Sequence, residues 1–368
     1  MSRNDCIVFT GGGTGGHVFP GLAVIGELKK AGWDNFAWIG SRAGMEKEIL
    51  EKESIPFYSI PAGKLRRYFS LRNLFDVFKV LMGFFSSIIL LLKLKPTLLF
   101  SKGGYVTVPP VVAASLLGIP VITHESDFDP GIATKINARF AHKILTSFKE
   151  TASYFPDDIA AKVTCTGNPV RSLFLNADPA RGKTFVGCPP EKKLILILGG
   201  SLGAEKINNA IAHILDQLTA NYFVVHQMGL RWFRESDKAG YFPAPFFRNE
   251  LADILAASDL VICRAGSNTL WELAATETPA ILVPLPLSAS RGDQLRNAEL
   301  FRKNGAAEII YEYNLKDMLL EIISKLLNNE EQSAAMKKNL QALSNKKAAC
   351  EIAEILLNMA GENHADQF

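Results

Sequence analysis

Short apolar runs recur along this chain, each followed by a glycine or polar break and then by a longer stretch with helical spacing. In the first half the runs fall at 6–9 (CIVF), 35–40 (NFAWIG), 97–101 (TLLFS), 120–125 (PVITHE) and 143–147 (KILTS). Helical stretches are expected near 20–31, 43–53, 71–93, 107–117 and 130–140. Brief apolar runs bounded by turn residues read as strands, and their alternation with helices requires parallel neighbours joined by right-handed crossovers. The first helix is expected to carry Pro20 in its opening turn, Lys29 and Lys30 near its carboxyl end, and Gly32 as its stop.

The pattern restarts at 194–215 (LILILGGSLGAEKINNAIAHIL), with further strands at 222–227, 260–266 and 280–286. A join is expected around 165–174, a Gly-Asn-Pro turn, and no element is expected in the polar stretch 175–193. The fold class that follows is α/β: two Rossmann-like, doubly wound domains facing a cleft. Their boundaries are expected at 1–166 and 167–340. The closing segment, 341–368, would be a helix packing back on the first domain.

Each half opens with a strand and a glycine turn. Five glycines occupy the six positions from Gly11 to Gly16, with His17 directly behind, and the second turn runs from Gly199 to Gly203. Backbone N–H groups at a helix N-terminus attract phosphate, and side chains on the loop would block its approach. Gly11, Gly13 and Gly16 also satisfy G-x-G-x-x-G, so a nicotinamide dinucleotide is one reading. The acidic residue that such a site needs after the second strand is missing. Ser41 and Arg42 stand there instead, where they would suit a 2′-phosphate. A second glycine turn favours a donor nucleotide in one domain and an acceptor in the other.

Composition narrows the field. The chain of 368 residues is 48% apolar and 21% charged, with a formal charge of +3, too small to argue for nucleic acid. Five dispersed cysteines form no CxxC pair and read as reduced core thiols, and nothing at the N-terminus reads as an export signal. No metal is expected, although Asp127 and Asp129 have the spacing of a cation pair as well as of turn and cap residues. The segment 64–95 is unusual: its apolar run 80–92 is shorter than the roughly 20 residues of a membrane span, and Lys79, Lys93, Arg66, Arg67 and Arg72 flank it. A buried crossover helix and a helix resting in a membrane interface, its cations on anionic lipids, both fit.

Seven blocks in order carry a family resemblance: GGGTGGHVFPGLAV, SKGGYVTVPP, HESDFDPGIATK, TGNPVR, LGGSLGAEKIN, CRAGSNTLWELAA and DQLRNAELFRKNGAA. From about residue 5 to 360 the chain resembles the MurG family of UDP-N-acetylglucosamine transferases. The resemblance implies a GT-B glycosyltransferase with no tightly bound cofactor. It would move N-acetylglucosamine (GlcNAc) from UDP-GlcNAc to the 4-hydroxyl of the N-acetylmuramyl unit of polyprenyl-linked lipid I, with inversion, giving lipid II. It also implies a peripheral enzyme at the cytoplasmic face of the bacterial membrane, which favours the interfacial reading of 64–95. From the residues alone, a glycosyltransferase for another acceptor, a sugar-nucleotide sensor and an NADP-dependent oxidoreductase stay open.

Inverting displacement needs a base at the acceptor hydroxyl and stabilisation of the departing diphosphate. His17 and Asp127 are the candidates for the base. The resemblance implies Gly11, Gly12, Gly13, Gly103, Gly104 and Tyr105 for the acceptor's diphosphate, and Thr14, Gly15, Gly16 and Asp127 beside the donor sugar. Arg171 and Ser201 would hold the donor's diphosphate, and Arg248 would meet uracil through its main chain. Ser267, Asn268, Thr269, Leu270, Trp271 and Glu272 would form the nucleoside site, with Glu272 on the ribose. Gln294 and Asn297 would meet the sugar's hydroxyls. The family often carries asparagine where this chain has Asp127, glutamine at Leu202, and Asp-His-Gln where it reads Gly292-Asp293-Gln294.

Overall fold

A computed structural model describes residues 5–365 apart from Thr14 and residues 43–45, 64–70 and 201–202. For residues 71–75 and 362–365 it describes the backbone alone. The chain divides into two compact units, Met1–Arg171 with Asn345–Phe368, and Ser172–Ser344.

Among the described residues of the first unit, seven strands form one parallel sheet. They are β1 (Ile7–Thr10), β2 (Phe36–Ser41), β3 (Phe57–Ile60), β4 (Leu98–Ser101), β5 (Val121–Glu125), β6 (Lys143–Thr146) and β7 (Val163–Cys165), in the order β3-β2-β1-β4-β5-β6-β7. The crossovers carry α1 (Gly15–Lys30), α2 (Glu46–Lys52), α3 (Leu71–Leu94), α4 (Val108–Leu116), α5 (Ile132–Phe140) and the single turn α6 (Asp157–Ala160). The order reverses between β1 and β4. In open α/β sheets ligands bind at such a switch point, beyond the carboxyl ends of the strands. The Gly11 turn and the Lys102–Gly104 turn lie at those two ends.

The second unit repeats the arrangement. Its helices are α7 (Ser172–Leu175), α8 (Pro179–Val186), α9 (Glu205–Asn221), α10 (Leu251–Ala257), α11 (Ser267–Thr276), α12 (Asp293–Lys303), α13 (Leu315–Asn328) and α14 (Glu330–Leu343). Its strands are β8 (Leu194–Leu198), β9 (Phe223–Gln227), β10 (Tyr241–Ala244), β11 (Leu260–Cys263), β12 (Ala280–Leu282) and β13 (Glu308–Ile309), parallel in the order β10-β9-β8-β11-β12-β13. Here the switch point lies between β8 and β11, beside the Gly199 turn and the Arg264–Gly266 turn. The last helix, α15 (Ala348–Ala365), belongs to the first unit and packs on α1.

Two apolar layers sandwich the first sheet. On one face Phe9, Trp38 and Phe100 meet Val18, Ile25 and Leu28 of α1 and Ile352 and Leu356 of α15. On the other, Val8, Ile39 and Leu99 meet Leu91 of α3 and Val111 and Ala114 of α4.

Three expectations need correction. First, α1 starts at Gly15, so Pro20 is its sixth residue rather than part of its opening turn. A proline there forfeits one backbone bond, and the earlier start places Gly15, Gly16 and His17 in the first turn. Second, the stretch 175–193 does hold a helix, α8. The side chain of Asp178 caps it by accepting from Ala180 N at 2.9 Å, Pro179 opens it, and Gly187 closes it at φ 68°. Third, the helix expected near 71–93 is present as the 24-residue α3, and its apolar length is not limited to the run 80–92. Its window Asp76–Leu94, of mean hydropathy 2.0, is long and apolar enough to cross a membrane by length and composition. The inner face of α3 covers the sheet with Leu91, Phe84 and Ile88, while Phe78, Leu81, Met82, Phe85, Ile89 and Leu92 are exposed.

Glycine at position 21 lets α1 lie close on the sheet, because a Cβ there would stand 2.6 Å from the Trp38 ring. That ring in turn holds the first glycine turn, its Nε1 donating to Gly11 O at 2.9 Å. Gly21→Ala should therefore cost about 1–3 kcal/mol through overpacking despite alanine's better helix propensity. Urea denaturation reads this; an unchanged midpoint would contradict the packing argument.

Candidate functional site

At the switch point of the first unit, the backbone itself is the building material. A Cβ on Gly11 would stand 2.9 Å from His17 O, and one on Gly12 would run into the carboxylate of Glu46. Glu46 is buried, and it accepts from Ser41 N at 2.8 Å, from Ser41 Oγ at 2.6 Å and from Gly13 N at 3.4 Å. This carboxylate removes the 2′-phosphate reading of Ser41. The serine's hydroxyl is buried and already donated to a negative charge, so a phosphate there would meet repulsion instead of a donor.

Across from this turn, Gly103 and Gly104 take φ of 91° and 88°, a region open mainly to glycine. A Cβ on Gly104 would approach Gly12 O to 2.6 Å and His17 Cδ2 to 3.0 Å. The imidazole of His17 therefore lies against bare backbone, with Nδ1 3.3 Å from Lys102 O. A carbonyl oxygen only accepts, so Nδ1 is the nitrogen that carries a proton in this contact. The Tyr105 ring lies beside Gly13, 3.0 Å from where a Cβ would sit.

Behind these groups runs a buried polar chain. Lys102 Nζ reaches His124 Nδ1 at 2.9 Å and donates to Ser126 Oγ, which donates to Asn168 Oδ1 at 2.8 Å. His124 Nε2 stands 3.0 Å from Gly167 O. Burial pulls the Lys102 ammonium down to about 8, although Glu125 and then Asp127 favour its charge. Burial, and next the Lys102 charge, hold His124 well below the ordinary imidazole value, so it is neutral. Glu125 accepts from Asp127 N at 3.0 Å, Gly131 N at 3.0 Å and Thr134 Oγ1 at 2.6 Å, so the loop bearing Asp127 wraps around this carboxylate. Arg171 lies with its guanidinium 4.4 Å over the ring of Phe19, two residues past His17 on α1, within cation–π range.

In the second unit the turn after β8 is equally constrained. Gly203 has φ 81°, and a Cβ there would crowd Met228 O and stand 2.6 Å from Trp232 Cδ1. The buried carboxamide of Gln227 donates to Gly200 O at 3.3 Å and accepts from Phe247 N at 2.8 Å. It thus ties the turn to the residue next to Arg248. Beyond β11, Gly266 is the N-cap of α11, whose first six residues are Ser267, Asn268, Thr269, Leu270, Trp271 and Glu272. Leu270 and Trp271 are buried, Trp271 edge-on to Phe301 at 6.1 Å, and they fix the helix to the core. On α12, buried Asn297 donates to Ala265 O at 3.4 Å, and Gln294 accepts from Leu285 N at 3.1 Å. Both amides are thereby held at the ends of β11 and β12. Thr14 and Ser201 lie outside the described residues. Among those described, no three His, Cys, Asp or Glu side chains group as a metal site would require, and this includes Asp127 and Asp129.

Glu46, Lys102, His124, Glu125 and Gln227 were not singled out from the sequence. The available signal was a lysine directly after one apolar core strand and a His-Glu-Ser run closing another, where charge is otherwise expensive.

Two family models cover most of the chain: the glycosyltransferase family 28 N-terminal domain matches residues 7–146, and the family 28 C-terminal domain matches residues 194–352. A UDP-N-acetylglucosamine--N-acetylmuramyl-(pentapeptide) pyrophosphoryl-undecaprenol N-acetylglucosamine transferase of Treponema denticola is 43% identical over 98% of this chain and 99% of its own. A Bacillus cereus protein of the same name, numbered 2, is 46% identical over 90% of this chain and 94% of its own. Among solved structures, MurG of Acinetobacter baumannii superposes with a TM-score of 0.75 at 28% identity, covering 96% of this chain and 99% of that one.

The second unit's turn also rests on a neutral histidine. His226 contacts Asn208 Oδ1 and Tyr241 OH, each at 3.0 Å, and Asn208 Nδ2 donates to Met228 O at 3.0 Å. Burial takes His226 down to about 4, so the unfolded chain binds the extra proton between about pH 6.5 and 4. Stability should be intact above the unfolded value and fall through that window, by on the order of 3 kcal/mol. Urea midpoints of wild type and His226→Gln at pH 7 and pH 5 test this. Equal pH dependence in the two proteins would refute it.

Proposed function

Because the chain belongs to the MurG family of N-acetylglucosamine transferases, we propose how its own residues divide the work of the reaction. The protein is a hexosyltransferase that passes N-acetylglucosamine from UDP-GlcNAc to lipid I in peptidoglycan synthesis. The observation that carries our assignment of the base is the hydrogen bond between His17 Nδ1 and Lys102 O at 3.3 Å. In the neutral ring this places the proton on Nδ1, and Nε2 is the nitrogen we assign to take the proton of the acceptor's 4-hydroxyl. As that proton leaves, the oxygen's electron pair forms the bond to C1 of the sugar. The bond from C1 to the phosphate oxygen breaks on the opposite side, with its electrons leaving on UDP.

The negative charge on UDP needs donors already in place. We assign them to the Gly199–Gly203 turn, with Ser201, at the entrance to α9, and to Arg171, whose guanidinium stays charged and matches phosphate geometry. Glu272 takes the ribose hydroxyls, the main chain at Arg248 takes uracil, and Gln294 and Asn297 take hydroxyls of the sugar. Ser267, Asn268 and Thr269 present the backbone of α11 to the nucleoside, and buried Leu270 and Trp271 hold that backbone still. Asp127, with Thr14, Gly15 and Gly16, meets the donor sugar. The acceptor's diphosphate lies along Gly103, Gly104 and Tyr105 beside Gly11, Gly12 and Gly13. Glu46 already takes the Gly13 N–H, so the Gly103–Gly104 side supplies the stronger hold. No tightly bound cofactor enters this scheme.

An acceptor on a polyprenyl chain requires an enzyme at the membrane. We assign that contact to α3, where Phe78 and Phe85 are 62% and 61% exposed in one ridge with Leu81, Ile89 and Leu92. Exposed Lys79, Lys93 and Lys95 stand ready for anionic headgroups. This makes the protein peripheral, at the cytoplasmic face of a bacterial membrane.

The base assignment is tested with labelled UDP-GlcNAc and a short-chain lipid I analogue. His17→Ala should lower kcat by about 10²- to 10⁴-fold with little change in donor KM, and Asp127→Ala should raise donor KM. If His17→Ala retains near-normal turnover at saturating donor, His17 is not the base. For the membrane contact, joint Phe78→Ser and Phe85→Ser should weaken binding to vesicles of anionic lipid at least about tenfold. Activity on the soluble analogue should be kept; vesicle binding equal to wild type would refute the role of the ridge.

A further inference from the structure

Lys102 is a fully buried lysine at the end of a core strand, and the scheme above gives its side chain no task. Its main chain is already committed: its N–H donates to Thr10 O at 2.8 Å and its carbonyl anchors His17. Its ammonium reaches in the other direction, to His124 and Ser126 at the end of β5, and through Ser126 to Asn168 in the turn after β7. One residue therefore links the ends of β1, β4 and β5 with the Gly167–Asn168 turn. The two side chains needed for transfer, His17 and Asp127, hang from that linkage, one from the carbonyl and one a single residue past Ser126.

The donors and acceptors of this chain agree with one another. Gly167 O can only accept, so His124 carries its proton on Nε2 and leaves Nδ1 to accept from the ammonium. Ser126 Oγ accepts from Lys102 and donates to Asn168 Oδ1. A methionine of similar length would fill the same space more cheaply, since a desolvated ammonium is costly and a thioether is not. Charge at this point must do something that packing alone would not.

We propose that Lys102 is a positioning residue for the transfer reaction, its buried ammonium setting the Ser126–Asp127 segment against the backbone that orients His17. The inference rests on the reaction and the base assigned above. The charged groups that face Lys102 are Glu125 on β5 and Asp127 in the following loop, with neutral His124 on β5 in contact and His17 of α1 bound to its carbonyl. Protonated Lys102 balances the two carboxylates, and losing its proton as pH rises through about 8 releases that hold.

The test is steady-state transfer to the short-chain lipid I analogue by wild type, Lys102→Met and Ser126→Ala between pH 6.5 and 9.5, with melting temperatures measured alongside. Lys102→Met should lower kcat about 10- to 100-fold, the usual cost of misplacing reacting groups by about an ångström, and should raise donor KM in the same direction as Asp127→Ala, because the segment it holds carries Asp127. Wild-type kcat should fall as pH rises through about 8, and that limb should be absent from Lys102→Met. Ser126→Ala, which keeps the charge but cuts the link to Asn168, should lose part of the activity. Wild-type kcat in Lys102→Met with the alkaline limb retained overturns the proposal, as does a lowered melting temperature with kcat per folded molecule unchanged. If Lys102→Met does not fold, a flat wild-type profile from pH 7 to 9 together with full activity in Ser126→Ala overturns it. Failure of the base assignment looks different: His17→Ala would stay active while Lys102→Met still lost turnover.

Discussion

The carbonyl oxygen of Lys102 receives the Nδ1–H of His17 only because the two residues that follow it carry no side chains. A Cβ on Gly104 would press on the ring of His17 and on Gly12 O, and both glycines hold backbone angles that other residues resist. The rest of the first unit's site depends on this close approach. The approach puts a proton on Nδ1 and brings the turn after β1 against the turn after β4. The parallel sheet supplies the remainder, since the reversal of strand order between β1 and β4 leaves their carboxyl ends open to a ligand.

Around that contact the molecule accepts a cost that its core does not bear. The layers on either face of the sheet are apolar and close-packed, as burial rewards. At the carboxyl ends of β1, β2, β4 and β5, by contrast, stand Glu46, Lys102, His124 and Glu125, all buried. Each is satisfied by named partners, which makes the burial tolerable, yet holding Lys102 charged with its value near 8 still costs on the order of 3 kcal/mol. Groups so placed tie down the loops they bond, and those loops carry the residues to which we assign the transfer.

Much of the fold was legible in the sequence, because apolar runs covered on both faces leave a plain trace. β4 and β5 each lie within a residue of their expected positions at both ends. What escaped was short or lay at an edge: β3, β7, β10 and β13 have two to four residues each and little apolar contrast. Helix α8 escaped because its cues, Asp178, Pro179 and Gly187, are local caps in a polar setting without a strong apolar stripe. The start of α1 was misplaced because glycines were read as loop and proline as an opening residue. The glycine turns themselves were legible, since bare backbone after a strand has few other uses. The pairings behind them were not. Lys102 with Ser126 and Glu46 with Gly13 join residues whose relation appears only once strands lie side by side.

The central claim is that His17 enters catalysis as a neutral imidazole with its proton on Nδ1. It is tested most directly by ¹⁵N-resolved NMR of the histidine side chains in the full-length protein above the imidazole's titration, with His17 assigned by its loss in His17→Ala. The account predicts a protonated Nδ1 and an unprotonated Nε2 for His17. A proton on Nε2 instead would contradict it, because the nitrogen assigned to take the acceptor's proton would already be occupied.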